Sequence, residues 1–169
     1  MADTVRSILV EELGRLKSTI QERMASEKVN ASGGTSASLK VTISEDTGVL
    51  TGSQTFLWLE RGRGPGKVPK NFQSIISKWI KDKGIDYSSY IPKGRKSTSM
   101  SDEARLNAFS GAIAWSIIKK GTMLHRTHAR RDIYDTAINE TLARVNARIG
   151  NMLGNAVDLI HTQAFSIKG

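Results

Sequence analysis

Residues 59 to 72 read LERGRGPGKVPKNF, and this stretch decides the fold because it separates a strand-like run from a helix-like one. Its fourteen positions hold three glycines, two prolines and four cations. Proline fixes φ near −65° and glycine lets one backbone approach another. The composition therefore predicts a stiff, basic junction over residues 61 to 70, called the basic corner below. A phosphate cradle, a nucleic-acid contact and an assembly joint are all compatible with it.

Upstream of the corner, residues 38 to 60 predict a β-hairpin. Leu39, Val41 and Ile43 alternate with polar residues, which is typical of a strand with one buried face. The return strand is expected to end in FLWLE, residues 56 to 60, where both faces are apolar. Such a strand end needs covering on both sides.

Helices are predicted on either side of the hairpin and corner. Residues 71 to 121 predict two helices joined by a basic loop, the second of them apolar on two sides. Residues 1 to 27 predict an amphipathic N-terminal helix. Residues 131 to 164 predict a long C-terminal helix with one apolar stripe and with Arg144 and Arg148 on its polar side.

This order predicts an α+β fold in a single domain over residues 1 to 169. A small antiparallel sheet, built on the long hairpin, is packed by the N-terminal helix, the two central helices and the long C-terminal helix. At 1.5 Å per residue the last helix would run about 50 Å, too long for a compact domain of this size to cover. Large apolar side chains that a partner subunit is expected to cover are Trp58, Trp79, Trp115 and Ile118.

The net charge of +9 is concentrated in one segment. Residues 61 to 96 hold 10 Lys/Arg against 2 Asp/Glu, whereas residues 1 to 60 carry a net −2 and residues 97 to 169 a net +3. Such a field favours a polyanion or an acidic protein surface, although solvated loop charges are the alternative. The candidate contacts to DNA or a partner are Arg61, Arg63, Lys67, Lys70, Lys93, Arg95, Lys96, Arg126, Arg130 and Arg131.

The sequence contains no catalytic or cofactor-binding motif with the spacing that such a motif requires. A Walker loop needs four residues between its glycines and a hydroxyl after its lysine, but Gly62 and Gly66 enclose three residues and Val68 follows Lys67. His125 and His128 lack a third metal ligand, and the chain contains no cysteine. We therefore expect no catalytic residue, no cofactor and no metal site.

Base-specific DNA recognition and membrane association receive little support from the sequence. No recognition-helix, zinc-finger or RNP pattern offers base readout, so any DNA contact would be blind to sequence. The N-terminus lacks an apolar signal core, and no apolar run approaches the roughly 20 residues of a membrane span. We expect no membrane partner.

Three segments, ERGRGPGKVP, IISKWIKDKGI and AIAWSIIKKGT, occur in this order along the chain. In this order they resemble the tail-completion and head–tail connector proteins of tailed bacteriophages and prophages. The likeness covers residues 38 to 135, and many such proteins end soon after the Gly-Thr motif, whereas this chain continues to residue 169. The matching positions are Glu60, Gly62, Arg63, Pro65, Gly66, Pro69, Trp79, Ile80, Lys83, Gly84, Ile85, Gly121 and Thr122.

The resemblance implies a non-enzymatic virion protein that assembles in the host cytoplasm into a ring of six or twelve copies. The ring would join the portal or its adaptor to the tail-tube or other neck proteins, with the genome passing through its lumen. The cations would face that DNA or acids on an adjoining ring. An assembly corner would consist of Glu60, Gly62, Arg63, Pro65, Gly66 and Pro69. The alternatives are a sequence-nonspecific DNA-binding protein and an enzyme or toxin of unrecognised type.

Overall fold

The computed structural model describes residues 4–29, 31–94 and 100–166, with side chains up to residue 160 in the last range. The predicted α+β class is confirmed: the chain is mostly helical with one small antiparallel sheet. Its elements are α1 (Val5–Ser26), α2 (Gly34–Ala37), β1 (Lys40–Ile43), β2 (Gly48–Thr51), a 3-10 turn (Gln54–Leu57), α3 (Trp58–Arg61), α4 (Phe72–Asp82), α5 (Asp102–Lys120), α6 (Met123–Arg126) and α7 (Asp135–Ser166).

The chain forms two compact units, each assembled from segments far apart in sequence. Unit 1 comprises residues 1–27, 36–53 and 132–169, and unit 2 comprises residues 28–35 and 54–131. The expectation of a single domain stays a prediction.

In unit 1, α1 packs on α7 and on the hairpin. Its buried stripe includes Ile8, Leu16, Ile20 and Met24, which recur at multiples of four residues and so share one helical face. Thr4 begins the helix, since its hydroxyl accepts from the backbone N–H of residue 7 at 3.1 Å in a capping box. The predicted N-terminal helix is therefore present.

A buried carboxylate fixes how α1 and α7 align. Glu12 is 1% exposed, and Arg144 Nε donates to its Oε2 at 2.8 Å while Arg148 Nη1 donates to its Oε1 at 3.1 Å. The hydrogen bond from Arg144 is the main cause that lowers the pKa of Glu12, and the bond from Arg148 adds to it. Both arginines thus face α1. The sequence placed them on the polar side of the last helix, and that side packs on α1, which periodicity does not predict because it gives no sign of a buried carboxylate on the neighbouring helix.

The hairpin is shorter than predicted. Four residue pairs join β1 to β2, from Lys40–Thr51 to Ile43–Gly48, and the strand ends at Thr51. The FLWLE stretch is helical instead, in the 3-10 turn and α3. Its aromatic residues favour a strand locally, but the N–H of Arg131 donates to the carbonyl of Glu60 at 3.0 Å, and long-range contacts of this kind override β-propensity.

The core of unit 2 lies between α4 and α5. It is formed by Ile76, Ile80, Leu106 and Ala114, with partly buried aromatic and aliphatic neighbours around them. The hydroxyl of Ser101 accepts from the backbone of residue 104 at 3.3 Å, as expected for the start of α5.

The long C-terminal helix is confirmed, with bounds slightly later than predicted. Within the ranges that the structure describes, none of the helices combines the length and the apolar character that crossing a bilayer requires.

Candidate functional site: the basic corner

The basic corner begins at the end of α3, in unit 2. The residue that ends this helix is a glycine for a stereochemical reason. Gly62 has φ 73° and ψ 179°, a region that is essentially closed to residues with a side chain. Its N–H donates to the carbonyl of Trp58 at 2.9 Å and so ends the helix. A Cβ at this position would lie 2.4 Å from Thr122 Oγ1 and 2.6 Å from the backbone nitrogen of His125. Only glycine permits this approach.

Backbone and hydroxyl groups join the corner to the end of α5. The N–H of Thr122 donates to the carbonyl of Arg63 at 2.8 Å, and the N–H of Arg63 donates to Thr122 Oγ1 at 2.9 Å. The N–H of Gly66 donates to the carbonyl of Ile118 at 3.0 Å. We call this arrangement the corner joint. It brings together the Gly-Arg and Gly-Thr motifs, which lie 59 residues apart in the chain.

A second glycine completes the corner joint. Gly121 has φ 77° and ψ 177°, and a Cβ there would lie 2.8 Å from the carbonyl oxygen of Arg63. The two chain segments therefore approach each other through glycine on both sides, which fits the general use of glycine where backbones meet closely.

The side chain of Arg63 packs into the corner joint and is only partly exposed. Its guanidinium carbon lies 5.4 Å from the ring centroid of Trp58 and 5.6 Å from that of Phe72, and its Nη2 donates to the carbonyl of Lys67. Cation–π contacts at such distances stabilise the packed conformation. This placement favours a structural role over the predicted contact with DNA.

A further backbone bond extends the basic surface. The N–H of Arg131 donates to the carbonyl of Glu60 at 3.0 Å, so the segment around Arg130 lies next to the start of the corner. Glu60 is buried at 2% exposure and contributes no carboxylate to the surface.

The corner and the segment from residue 119 to 131 therefore form one strongly cationic region. Together the two stretches contain nine Lys/Arg and no Asp/Glu. Apart from Arg63 and the half-buried Arg131, their cations are exposed: Arg61, Lys67, Lys70, Lys119, Lys120, Arg126 and Arg130. Such a surface attracts polyanions and repels copies of itself.

The division into units sharpens the charge asymmetry seen in the sequence. Unit 2 holds 17 Lys/Arg against 5 Asp/Glu, a net +12, whereas unit 1 holds 8 against 11, a net −3. The positive field thus belongs to one of the two units.

The remaining predicted contacts are not all part of this region. Lys93 is exposed in the connection between α4 and α5, while Arg95 and Lys96 lie outside the described residues. Sequence reasoning missed Lys119 and Lys120 as contacts, because lysines in the last turn of a helix have an ordinary explanation in the helix dipole. Their closeness to the corner depends on the hydrogen bonds that link residues 63 and 66 to residues 118 and 122.

The predicted interface residues are exposed to different degrees. Trp115 is 59% exposed and Trp79 39%, and Trp79 lines an open groove of about 310 Å³ with Leu59 and Ile75. Trp58 is 36% exposed but packs under Arg63. Ile118 is partly buried, and its carbonyl accepts the hydrogen bond from the N–H of Gly66 in the corner joint. Their role as a subunit interface stays a prediction.

His125 lies beside the corner, since a Cβ at Gly64 would be 3.3 Å from its ring, and its ring centroid lies 6.5 Å from that of His128. Across the described ranges, no group of three or more His, Cys, Asp or Glu side chains is arranged to hold a metal ion.

Comparison with protein-family models, with curated proteins and with solved structures gives no match to this chain.

Proposed function

We propose that this protein is a structural component of the virion of a tailed bacteriophage or prophage. Copies of the chain form a ring in the neck, between the portal or its adaptor and the tail, and the genome passes through the ring. The observation that carries the proposal is the corner joint: the Gly-Arg and Gly-Thr motifs on which the resemblance rests are joined to each other by hydrogen bonds.

The charge of the corner suits a DNA channel. Seven exposed cations of this region can neutralise phosphates irrespective of base sequence. A channel that conducts a whole genome needs contacts of this kind, because base-specific contacts would hold DNA at particular sequences. The same surface also suits acids on an adjoining ring.

The proposal is tested on particles and on the purified chain. We expect the protein in purified particles, and rings of it by electron microscopy. Absence from particles, together with a chain that stays monomeric at every concentration in mass photometry, would contradict the proposal.

A second candidate, a free sequence-nonspecific DNA-binding protein, is favoured by the same cationic region. It requires tight binding to duplexes of unrelated sequence in the absence of any assembly. The logarithm of the association constant should fall linearly with the logarithm of salt concentration, with a slope of about −0.9 for each phosphate neutralised. Binding that is absent or insensitive to salt would remove this candidate.

A further inference from the structure

An open cavity of about 410 Å³ lies between α4 and α5, where the basic corner ends. Lys70, the last residue of the corner, lines this cavity, and the rest of its described lining is polar and uncharged. We call it the α4–α5 groove. Its lining residues are Lys70, Asn71, Gln73, Ser74, Ser77 and Asn107. All of them belong to unit 2, so the groove is part of the same cationic unit as the corner.

The side chain of Gln73 joins the two helices at the groove. Its Nε2 donates to the backbone carbonyl of Asn107 at 2.9 Å and to Asn107 Oδ1 at 2.6 Å. A Cβ at Gly111 would lie 3.3 Å from the same nitrogen, so α5 carries a glycine where Gln73 packs against it. These bonds orient the Asn107 amide: its oxygen accepts from Gln73, and its Nδ2 is left as a donor.

The groove holds further donors that have no acceptor among the described residues. Asn71 occupies the N-cap position of α4, but its side chain makes no cap hydrogen bond. The Ser74 hydroxyl is also exposed, and within the described ranges neither it nor Asn107 Nδ2 bonds to another residue. Water satisfies these donors in the free protein, so a ligand of the groove must offer acceptors in its place.

Lysine, hydroxyl and amide groups together form the donor set that binds a DNA backbone. Phosphate oxygens and sugars receive most protein–DNA hydrogen bonds, and Lys, Ser and Asn side chains are among the usual donors. The described lining of the groove holds no carboxylate that would repel a phosphate. Glu103 lines an adjoining cavity of about 580 Å³, which shares Ser77 and Asn107 with the groove. The end at Lys70 is therefore the one that suits a phosphate.

The groove continues directly from the basic corner. The N–H of Phe72 donates to the carbonyl of Pro69 at 3.0 Å, and the guanidinium carbon of Arg63 lies 5.6 Å from the ring centroid of Phe72. The corner is thus packed on the first turn of α4. A DNA strand carries a phosphate for about every 3.4 Å of helix rise, so a strand that contacts the exposed corner places further phosphates nearby. An isolated carboxylate on a protein offers no such row of charges.

We propose that the α4–α5 groove binds a phosphate of the DNA backbone through Lys70 together with the neutral donors of Asn71, Ser74 and Asn107. This inference rests on the proposed function for the presence of DNA, and it adds uncharged contacts to the cationic ones of the corner.

Charged and neutral contacts to phosphate differ in their dependence on salt. A lysine that neutralises a phosphate releases counterions, and each such contact contributes about −0.9 to the slope of the logarithm of affinity against the logarithm of salt concentration. A hydroxyl or an amide neutralises no charge. Its removal therefore weakens binding by a similar factor at every salt concentration and leaves the slope unchanged.

Asn71→Ala with Ser74→Ala tests the neutral donors in the full-length chain. Neither side chain makes a hydrogen bond within the described residues, and alanine is favoured in helices, so the fold is kept. Fluorescence anisotropy with a duplex of arbitrary sequence should show an affinity about tenfold lower with an unchanged salt slope. Lys70→Gln should instead reduce the magnitude of the slope by about 0.9.

The matched control removes the same groups from unit 1. Ser44→Ala with Asn151→Ala changes an exposed serine and an exposed asparagine there and should alter neither the affinity nor the slope. Circular dichroism checks that both double variants keep their helix content. Equal weakening by the two double variants would overturn the inference.

Three other results would also overturn it. The first is a wild-type chain that does not bind duplex DNA at low salt, and the second is an Asn71→Ala, Ser74→Ala variant that binds as tightly as the wild type. The third is a variant that keeps its DNA affinity but no longer enters particles, which would assign the groove to an acidic protein surface.

The two proposals fail separately. If the protein is found in neck rings but the groove variant binds DNA like the wild type, the neck function stands and the groove contact is wrong. If the groove variant loses affinity as expected but the protein is absent from particles, the groove contact stands and the neck function is wrong.

Discussion

Glu12 is the residue on which the alignment of α1 and α7 depends. The residue is 1% exposed, and its carboxylate accepts hydrogen bonds from two arginines of the opposite helix. A buried charge is tolerated only when it is paired in this way. Because Arg144 and Arg148 keep 35% and 27% of their side chains exposed, water still solvates part of each cation. The loss on removing Glu12 is therefore limited.

Replacing this carboxylate should destabilise the chain. We expect Glu12→Gln to lower the free energy of unfolding by about 1–3 kcal/mol, since the arginines lose a charged acceptor in a buried position. Urea denaturation measures this. Glu11→Gln is the control: Glu11 is 51% exposed, so its bond to Arg148 should contribute less than about 1 kcal/mol. Equal losses in the two variants would show that burial of Glu12 is immaterial.

The same residue predicts a dependence on pH. Its pKa is lowered in the folded chain, chiefly by the hydrogen bond from Arg144, so its contribution is complete above the ordinary carboxyl pKa and is lost as pH falls through the folded one. We expect the free energy of unfolding to fall more steeply below about pH 4 in the wild type than in Glu12→Gln. Parallel pH profiles for the two chains would contradict this.

Gly62 and Gly66 should tolerate alanine differently. At Gly62 the backbone conformation is strained for alanine by about 1–3 kcal/mol, and the new Cβ also meets Thr122 Oγ1 at 2.4 Å. At Gly66, φ is 130° but a Cβ would find open space. We expect Gly62→Ala to lower the unfolding free energy more than Gly66→Ala does in urea titrations. The reverse order would mean that the close approach to Thr122 is easily relieved.

At the scale of elements, the corner joint links the turn after α3 to the start of α6. Arg63 and Thr122 lie outside helices and strands, so their backbone groups need partners from elsewhere in the chain. Thr122 supplies both a backbone donor to Arg63 and a hydroxyl acceptor for its N–H. This double contact holds the basic loop at Arg63 against Thr122.

Removing the hydroxyl should loosen the corner joint. Thr122→Val keeps the shape of the side chain but leaves the Arg63 N–H without its acceptor, so we expect a loss of about 1–3 kcal/mol in the free energy of unfolding. Thr127→Val is the control, because the Thr127 hydroxyl bonds only to carbonyls of its own helical turn in α6 and is exposed. Matching effects in calorimetry would show that the Thr122 hydroxyl has no special role.

At the scale of the whole molecule, charge is divided between the two units, with a net −3 on unit 1 and +12 on unit 2. The affinity for a polyanion should therefore depend on which unit loses positive charge and not only on the net charge of the chain. Association with phosphates is governed by the cations that touch them, and distant charges are screened beyond about 10 Å at 0.1 M salt.

Two variants of equal net charge test this division. Lys67→Glu with Lys70→Glu should weaken binding to duplex DNA and lower the slope of its salt dependence by about one for each lost phosphate contact. Arg6→Glu with Lys40→Glu, on exposed sites of unit 1, should leave both nearly unchanged. Fluorescence anisotropy at several salt concentrations measures this, and equal weakening would show that only the total charge matters.

Much of the architecture could be predicted from the sequence, because helix periodicity and capping depend on residues that are close together in the chain. The apolar spacing in α1, the Ser101 cap and the glycine after Lys120 predict helices that are present. The glycines and prolines of residues 62 to 69 likewise predict a stiff basic turn. The ion pair of Glu12 with Arg144 could not be predicted from the sequence, since it joins residues 132 positions apart.

The sequence by itself determined the α+β class, the two long helices and the concentration of positive charge, since each follows from neighbouring residues. Only the tertiary structure decided that FLWLE turns into a helix, that the Gly-Arg and Gly-Thr motifs meet, and that α7 turns its arginines toward α1. The physical reason is the same in all three cases. Buried polar groups must find partners, and those partners come from distant parts of the chain.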